Sequence, residues 1–563
     1  MDGDGERSGR VELYAERALS FRARADALAL RTQRWMNVGA IAVLVTGLVC
    51  LAVLLGSAPP WVLLAAAAGV ATSSIAFVRR ARLEQAEDEA QRRWRVNADA
   101  EARCRDGWRS LPDDGSRFID PAHAHSSDLD VFGPSSLFQL INVAHTAHGQ
   151  RALSRLLSDC VGVSESRVRQ QAVRRLAPEL ELRQTLETLT LSRAPKPDAR
   201  ALLPRFAASA PAPRTDTEAL LEWIDAPSRL LQRRALLLAA RVLPVLTLGS
   251  LLAWAALDAP SLLWKLGVML QGVLAFRTRR DVAQLYGIVG HWQGAFSRLA
   301  RAFEAMGALP LDTPRLGPRL RGWLEALGEL EALSSLAGAA HDHAELTFPE
   351  WADDAPCFVA TALGHPLLAP SARIDNDVCL PAPGHALLVT GSNMSGKSTL
   401  LRAIGLASVM AMAGGPVCAR QLRLGAFALH TSLRVTDSLS ANVSHFYAEL
   451  QRLRAMLSAT QGRFPLLFLV DEILAGTNSL ERGIGARWLL AELLRAGALG
   501  ALSTHDGSLC QLPPELMPRV ERVHFRETFE AGALAFDYRL HPGPVQAGNA
   551  LRLMRSMGLA VAH

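Results

Sequence analysis

Eight consecutive residues, GSNMSGKS at 391–398, match the spacing GxxxxGK[ST], which is typical of a loop that binds the phosphates of a nucleotide. The glycines let backbone N–H groups approach the phosphates, and the N-terminus of a following helix adds its positive dipole. The lysine supplies a compact ammonium, for which the planar guanidinium of arginine is a poor substitute. We therefore predict that nine residues bind the nucleotide: Gly391, Ser392, Asn393, Met394, Ser395, Gly396, Lys397, Ser398 and Thr399.

Lysine is rare in this chain, which strengthens the match. Its only lysines are Lys196, Lys265 and Lys397, although Lys and Arg together number 60. The basic residues are thus almost all arginine, and the position where nucleotide chemistry demands a lysine has one.

Polar residues also end two later apolar runs. PLLFLVDE at 465–472 has the character of a buried strand that ends in Asp471, placed to hold Mg²⁺, and Glu472, placed to polarise an attacking water. In LSTHD, Thr504 and His505 end another apolar run, where a polar pair can sense a γ-phosphate. The predicted catalytic residues are Lys397, Glu472 and His505, and the predicted metal ligands are Ser398 and Asp471.

The segment DSLSANVSHFYAELQRLRAML at 437–457 opens an amphipathic helix with a Ser-rich turn. Ser444 at that turn would offer its hydroxyl and a helix N-terminus to a phosphate. Because the phosphates of this chain already have the helix after Lys397, a second helix suggests a phosphate held by a partner subunit, with ATP between two copies. The alternative is that Ser444 is an ordinary helix N-cap.

The elements that must position these residues follow an α/β pattern from about 346 onward. HALLVT precedes the loop as a strand, and STLLRAIGLASVMAMAG follows it as a helix. Further β-rich runs, such as CFVATAL and LAFDYRL, alternate with helical stretches. This pattern predicts an α/β P-loop NTPase domain with a sheet layered by helices. Upstream, apolar residues at helical spacing predict an all-α core.

Two apolar stretches make the chain unusually apolar for a soluble protein, with 49% hydrophobic residues and a mean hydropathy of +0.13. No charged residue stands between Trp35 and Val78, where two apolar runs, each close to the roughly 20 residues of a spanning helix, flank SAPP. With arginines on both sides, this predicts a transmembrane hairpin whose ends lie in the cytosol. The stretch 235–277 has the same pattern of two apolar runs with arginines on both sides and predicts a second hairpin, although Arg241 and Lys265 interrupt it. The alternative for this stretch is a buried pair of helices.

The net charge, the cysteines and the histidine pairs say less about the function than the motifs above. The net charge of +6 points weakly to nucleic acid or anionic lipid, and solvated arginine faces are the alternative. Seven scattered cysteines without a CxxC pair predict reduced thiols rather than disulfides. The histidine pairs at 123/125, 145/148 and 341/343 lack other ligands at metal-binding spacing. We interpret them as linker and helix-surface residues, with a polar linker over 111–128.

Four motifs together resemble the ATPase domain of the MutS family of DNA mismatch-repair proteins: Asn-Met inside the loop, SHFYAEL, VDEILAGTNSLERG and STHD. The tail FDYRLHPGPVQAGNALRLMRSMGL is similar to that family's closing strand and helix, and GHPLL at 364–368 is similar to the motif at the domain's entry. DLDVFGPSSLFQLINVAHTAHGQRALSRLL is similar to the start of the MutS lever core. The resemblance covers roughly 128–230 and 281–563.

The resemblance implies an ATP- and Mg²⁺-dependent homodimer of the ABC/MutS type that acts on DNA. By this resemblance, Lys397 would contact the phosphates, Ser398 would bind Mg²⁺ and Asn393 would line the nucleotide. Asp471 and Glu472 would form the Walker B pair. Ser444 would contact the γ-phosphate of the partner subunit, and His505 would couple hydrolysis to conformational change. The aromatic residue that the family places over adenine, just before 376–378, is absent, since Arg373 and Ile374 stand there.

The chain also departs from the family pattern. Mismatch readers of the family wedge a Phe, with a Glu two residues on, into DNA from an N-terminal domain. Here the Phe-x-Glu strings, at Phe348 and Phe525, lie in the ATPase region, and apolar helices occupy the places of the reading domain and of the DNA clamp. Any DNA binding is therefore expected to be non-specific and directed at the phosphate backbone.

These observations lead us to expect a membrane-anchored, dimeric MutS-like ATPase in the cell membrane, with lipid and DNA as partners and its ATPase domain in the cytoplasm. The predicted parts are a leader (1–34), a transmembrane hairpin (35–80), a charged helix and linker (81–128), a lever core (129–234), a second hairpin (235–277), the return of the core (278–345) and the ATPase domain (346–563). The alternative is an ABC-type ATPase fused to membrane helices for transport, although no LSGGQ string occurs. A non-catalytic scaffold that uses ATP only as a dimer switch is a third hypothesis.

Overall fold

A computed structural model describes residues 2–54, 57, 62–191, 234–257, 262–277, 316–353, 355–392, 394–433, 445–474, 479–505, 513–530 and 533–544. The chain divides into two compact units. The larger comprises Met1–Ala144, Gln150–Thr188 and Glu331–His563, and the smaller comprises His145–Gly149 and Leu189–Leu330.

The larger unit begins with two long helices, α1 (Asp2–Leu54) and α2 (Leu63–Cys104), that run antiparallel. Arg7 near the start of α1 forms an ion pair with Asp106 just after α2, at 3.0 Å. Farther along α1, the guanidinium carbon of Arg22 lies 5.5 Å from the centre of the Trp94 ring. The start of α1 is thereby held against the end of α2.

The apolar halves of this helix pair do not establish the predicted transmembrane hairpin. Among the described residues one helix, Arg7–Ala52, is long and apolar enough to cross a membrane, and Leu238–Ser250 is a shorter apolar helix. A hairpin needs two membrane-spanning helices, and one apolar helix near the N-terminus is weak evidence even for a single span. The structure therefore does not support transmembrane hairpins at 35–80 and 235–277.

Shorter helices follow along the chain: α3 (Leu137–Ile141), α4 (Ala147–Ser158), α5 (Val163–Leu176), α6 (Leu180–Thr190), α7 (Arg234–Leu257), α8 (262–277) and α9 (Leu316–Asp342). In the smaller unit, α7 and α8 are joined by a hydrogen bond from Gln271 Nε2 to Thr247 Oγ1 at 2.7 Å. The described residues upstream of 346 are thus mainly helical, as their apolar spacing predicts.

The C-terminal part of the larger unit contains two sheets. The main sheet has the strand order β10-β9-β4-β8-β7-β6 and the smaller one β1-β5-β2-β3. The strands of both sheets are β1 (Glu350–Trp351), β2 (Phe358–Leu363), β3 (Asn376–Leu380), β4 (Ala386–Thr390), β5 (Gln421–Leu424), β6 (Ala428–Ser432), β7 (Leu466–Asp471), β8 (Leu499–Thr504), β9 (Val520–Glu530) and β10 (Ala533–Pro542). The helices that alternate with the main strands are α10 (Lys397–Met412), α11 (His445–Ala459) and α12 (Ser479–Arg495).

The middle of the main sheet is parallel: β4 pairs with β8 and β9, and β7 pairs with β6 and β8. Every residue of β4 and β8 is buried, which explains why both strands are mainly apolar, since helices cover both faces of a parallel sheet. β9 and β10 add an antiparallel edge. The α/β prediction for the C-terminal domain is confirmed.

Gly500 in β8 sits where the sheet leaves no room for a side chain. A Cβ there would lie 2.0 Å from the backbone oxygen of Phe468 in β7. This close approach explains why glycine stands inside an otherwise buried strand.

The polar segment before α3 is not an exposed linker throughout. Thr431 N in edge strand β6 donates to Ala124 O at 2.9 Å, and His125 Nδ1 lies 3.1 Å from Leu429 O. His125 is 5% exposed, and burial lowers its pKa to about 3. The interpretation of 111–128 as a linker was therefore wrong for His125, because this part of the segment covers the edge of the main sheet.

Candidate functional site

The nucleotide loop joins the end of β4 to the start of α10, as its flanking sequence predicts. Gly391 and Gly396 have φ values of +150° and +110°, in the region that favours glycine. A Cβ on Gly391 would lie 2.8 Å from Ser395 Oγ, so the loop folds closely on itself. Met394 is 85% exposed, and Asn393 lies outside the described residues.

Lys397 lies inside the curve of the loop. Its ammonium donates to the carbonyl oxygens of Gly391 (3.0 Å) and Ser392 (2.8 Å), and its side chain is 4% exposed. Burial lowers the Lys397 pKa, while the carboxylates of Glu472 and Asp471 act in the opposite direction. The ammonium is therefore enclosed by the loop that would surround the phosphates.

Asp471 at the end of β7 meets the hydroxyl that the sequence predicts as its fellow metal ligand. Ser398 Oγ donates to Asp471 Oδ2, and Ser503 Oγ donates to Asp471 Oδ1. Ser503 was not predicted from the sequence. It stands opposite Asp471 because β8 runs parallel to β7 in that register, and its place within LSTHD is the signal that could have found it.

Glu472 lies between the lysine and the histidine. Its Oε1 is 3.9 Å from Lys397 Nζ and 3.5 Å from His505 Nδ1. Its backbone has a φ of +48°, and its N–H donates to Ser503 O. The side chains of Glu472 and His505 are partly exposed, so water can reach the carboxylate. Thr504, which the sequence pattern pairs with His505, is buried instead.

Two hydroxyls of the loop fit a phosphate ligand. Within the part of the chain that the structure describes, the buried Oγ atoms of Ser392 and Ser395 have no hydrogen-bond partner. Such buried polar groups are costly unless a ligand or water pairs them. Thr399, on the first turn of α10, is exposed. The loop thus offers hydroxyl donors to an anion.

The donor set at Asp471 suits magnesium. Ser398 Oγ and a carboxylate are the hard oxygen ligands that Mg²⁺ takes alongside water and phosphate oxygens. No group of three or more His, Cys, Asp or Glu side chains that could hold a metal by itself occurs among the described residues. A metal here would therefore depend on oxygens from the nucleotide.

An aromatic residue that was not predicted from the sequence lies beside the loop. Tyr538 sits at a register shift of β10, with a φ of +53°, and its Cδ1 is 3.3 Å from the position of a Cβ on Gly396. Asn376 holds this bulge: its Nδ2 donates to Tyr538 O at 3.0 Å, and its Oδ1 accepts from Leu540 N at 2.7 Å. Tyr538 thus reaches the region, next to 376, where the expected aromatic is absent.

The predicted residues that the structure describes come together at one edge of the sheet. Lys397, Ser398, Asp471, Glu472 and His505 lie at the carboxyl ends of β4, β7 and β8 or just beyond them. This is the edge at which parallel α/β sheets bind ligands. The in-trans candidate, the serine at 444, lies outside the described residues.

Comparison with known proteins identifies the domain that carries this site. The sequence model of MutS domain V matches residues 387–562. This part of the chain belongs to the MutS family. This confirms the resemblance drawn from the motifs around the loop.

Similar MutS-family proteins match less than half of the chain. The DNA mismatch repair protein MutS of Natronomonas pharaonis is 30% identical over 251 residues, which are 43% of this chain and 28% of that protein. Endonuclease MutS2 of Anaeromyxobacter sp. is 33% identical over 46% of this chain and 32% of its own length. The DNA mismatch repair protein MutS of Myxococcus xanthus is 32% identical over 46% of this chain and 30% of its own length. The chain thus spans less than a third of the length of each of these relatives.

The predicted multi-pass membrane location is wrong. The similar proteins are named as DNA mismatch repair proteins and an endonuclease. Among the described residues, the one helix that has the length and hydropathy of a span is the N-terminal one, and a core helix or a signal sequence has the same properties. The prediction was wrong because it rested on the apolar composition of these segments alone.

Proposed function

We propose that this chain is a MutS-type ATPase that binds ATP on residues 391–399 and hydrolyses it with Glu472 as general base. The observation that carries the proposal is the arrangement around Glu472 Oε1, which lies 3.9 Å from Lys397 Nζ and 3.5 Å from His505 Nδ1. A carboxylate beside a loop lysine and next to Asp471 can accept a proton from a water that attacks a γ-phosphate.

Four residues of the loop, together with Asp471, have tasks that follow from their positions. Lys397, now bonded to two loop carbonyls, would exchange them for phosphate oxygens, since an anion is the stronger acceptor. Ser392 and Ser395 would donate their hydroxyls to the same phosphates. Magnesium, held by Ser398 and Asp471, would neutralise charge on the β- and γ-phosphates.

His505 would act through Glu472. Its Nδ1 is near enough to the carboxylate to orient it toward the attacking water. Because His505 directly follows β8, a change at the γ-phosphate would be passed to that strand. This is the proposed coupling between hydrolysis and conformation.

Tyr538 would supply a face for the base. Tyr538 is 45% exposed and its ring lies beside the loop, and an exposed aromatic ring there is suited to stack on adenine. We assign this task to Tyr538 in place of the aromatic expected before 376. Asn376, which bonds to the backbone of the bulge at two points, would position the ring.

A homodimer and non-specific binding to duplex DNA complete the proposal. Support for DNA comes from the similar proteins, which are named for DNA mismatch repair. Support for the dimer is the motif around Ser444, which would reach the γ-phosphate of the partner. The division into a helical core over 129–234 and 278–345 and an ATPase domain over 346–563 belongs to the same proposal.

The test is ATP hydrolysis by the purified full chain, with and without Mg²⁺ and duplex DNA. Lys397→Met is expected to abolish ATP binding, and Lys265→Met, in the smaller unit, serves as the matched lysine control. Specific activity should rise with protein concentration, because two copies share ATP. Matched and mismatched duplexes should bind equally, with an affinity that falls as salt rises. Turnover that persists in Lys397→Met would refute the proposed site.

A further inference from the structure

Helix α11 contacts two other parts of the larger unit through side chains that are three residues apart. The carboxylate of Glu449 accepts a hydrogen bond from the backbone N–H of Leu474. Arg452 Nη1 donates to Asp128 Oδ1 at 3.1 Å. Residues at i and i+3 are neighbours on a helix surface, so α11 connects the two contacts rigidly.

The Glu449 contact holds the turn that carries the proposed general base. Leu474 is two residues after Glu472, and these two residues have φ values of +57° and +48°, respectively. Residues with a Cβ keep such a conformation only when the surrounding structure holds them in it. Glu449 is 2% exposed, so its carboxylate is enclosed against this turn. Removing the acceptor would let the turn relax and carry the Glu472 carboxylate away from Lys397 and His505.

The Asp128 contact holds α11 itself. Asp128 precedes α3, in the helical part of the unit, and is 3% exposed. Besides the bond from Arg452, its carboxylate accepts from Thr431 Oγ1 at 2.8 Å and from Leu433 N at 2.9 Å, at the end of β6. One carboxylate therefore joins the end of β6 to α11.

The residues next to Asp128 anchor it to the helix that follows the nucleotide loop. Asp130 Oδ2 accepts from Arg402 Nη1 on α10 at 2.9 Å. Leu129 is fully buried, and its Cδ2 is 2.6 Å from the position that a Cβ on Gly405 would take. The segment 128–130 thus contacts both α10 and α11 and has little freedom to move independently of them.

We propose that Glu449 is a positioning residue for Glu472, and that Asp128, through Arg452, holds α11 where Glu449 can do this. The inference rests on the proposed ATP hydrolysis and adds residues that do not belong to the nucleotide loop. ATP affinity depends on the loop around Lys397. Loss of Glu449 or Asp128 therefore lowers kcat and leaves the Kd for ATP unchanged.

The experiment measures kcat, the Kd for ATP by calorimetry, and Tm for Glu449→Leu, Glu449→Gln and Asp128→Asn in the full chain. Arg454→Met, at an exposed arginine on the same helix, is the control for α11. Asp120→Asn, at an exposed carboxylate that accepts from Ala122 N, is the control for the segment before α3.

The expected results distinguish the loss of the hydrogen-bond acceptor at residue 449 from a general loss of stability. Glu449→Leu lowers kcat by about tenfold or more, with the Kd within about twofold of wild type. Glu449→Gln recovers most of kcat, because its amide oxygen can accept the same hydrogen bond. Asp128→Asn lowers kcat by a smaller factor, and the two controls match wild type.

Three results would overturn the inference: wild-type kcat in Glu449→Leu or in Asp128→Asn, equal losses in Glu449→Gln and Glu449→Leu, or a loss of ATP affinity that parallels the loss of kcat. A fall in Tm alone, with kcat and Kd unchanged, also contradicts it. Failure of the proposed function gives a different observation, since the wild-type chain itself would then show no ATP turnover.

Discussion

Replacement of Tyr538 by alanine tests the assignment of the base-binding face. Alanine leaves the positive φ of the bulge as unfavourable as it is for tyrosine, because both residues carry a Cβ. The hydrogen bonds from Asn376 run to backbone atoms and survive the change. The substitution therefore removes the ring and little else.

The size of the effect follows from the stacking that is removed. An aromatic side chain stacked on one base contributes about 1–3 kcal/mol by alanine substitution. At about 1.4 kcal/mol per tenfold, Tyr538→Ala should weaken ATP binding by roughly 5- to 150-fold. Tyr538→Phe keeps the ring and should bind ATP within about twofold of wild type.

Calorimetry with two ligands isolates the base from the phosphates. ATP and inorganic tripolyphosphate should bind through the same loop, but only ATP has a base to stack. Tyr538→Ala should lose affinity for ATP and keep its affinity for tripolyphosphate. Trp488→Leu, at an exposed aromatic residue on α12, is the control and should change neither affinity. Unchanged ATP affinity in Tyr538→Ala, or an equal loss for both ligands, would refute the assignment.

Two further predictions concern the scaffold. Gly500→Ala should destabilise the fold by about 3 kcal/mol, because the new Cβ would clash with the backbone of β7. Gly9→Ala on α1 is the control and should not lower Tm, since nothing lies within 4 Å of its Cβ. Equal Tm values in the two variants would contradict this prediction. Burial lowers the His125 pKa to about 3 from an unfolded value near 6.5, so the stability that the neutral form contributes is complete above about pH 6.5 and is lost as pH falls toward 3. Measured by urea unfolding, the drop in unfolding free energy from pH 7 to pH 5 should be about 2 kcal/mol smaller in His125→Gln than in wild type, and an identical pH dependence in the two would show that His125 is not the group responsible.

The part of the site that local sequence determines was predictable. A strand, a glycine-rich loop with Lys397 and a helix are consecutive in the chain, and Asp471 and Glu472 end an apolar run. The carboxyl ends of parallel strands meet at one edge, so the proximity of these residues follows from the α/β pattern. The same reasoning places His505 after its strand.

The residues that were missed depend on strand order and on a bulge. The motif LSTHD marks Ser503 as a polar residue near a strand end, but it does not indicate that β8 lies between β4 and β7, which is the strand order that brings Ser503 to Asp471. Tyr538 reaches the loop because β10 bulges beside Asn376, a residue far away in the sequence. Contacts of this kind depend on which strands pair in the folded sheet, and the local patterns of the sequence do not predict that pairing.

The errors have physical reasons as well. Apolar runs satisfy the length and hydropathy of a membrane span, but those two properties do not distinguish a span from other apolar helices. His125 stands in a polar, proline-containing stretch, yet the edge of the main sheet needs a cover for its unpaired backbone groups, and Ala124 supplies part of it.

The measurement that tests the central claim most directly is single-turnover hydrolysis of ATP by Glu472→Gln. The amide cannot accept the proton of the attacking water, whereas Lys397 and the loop remain intact. We expect ATP to bind with wild-type affinity and turnover to fall by about 100-fold or more, while Glu492→Gln, at a partly exposed carboxylate on α12, behaves as wild type. Hydrolysis at the wild-type rate in Glu472→Gln would contradict the role of Glu472 as general base.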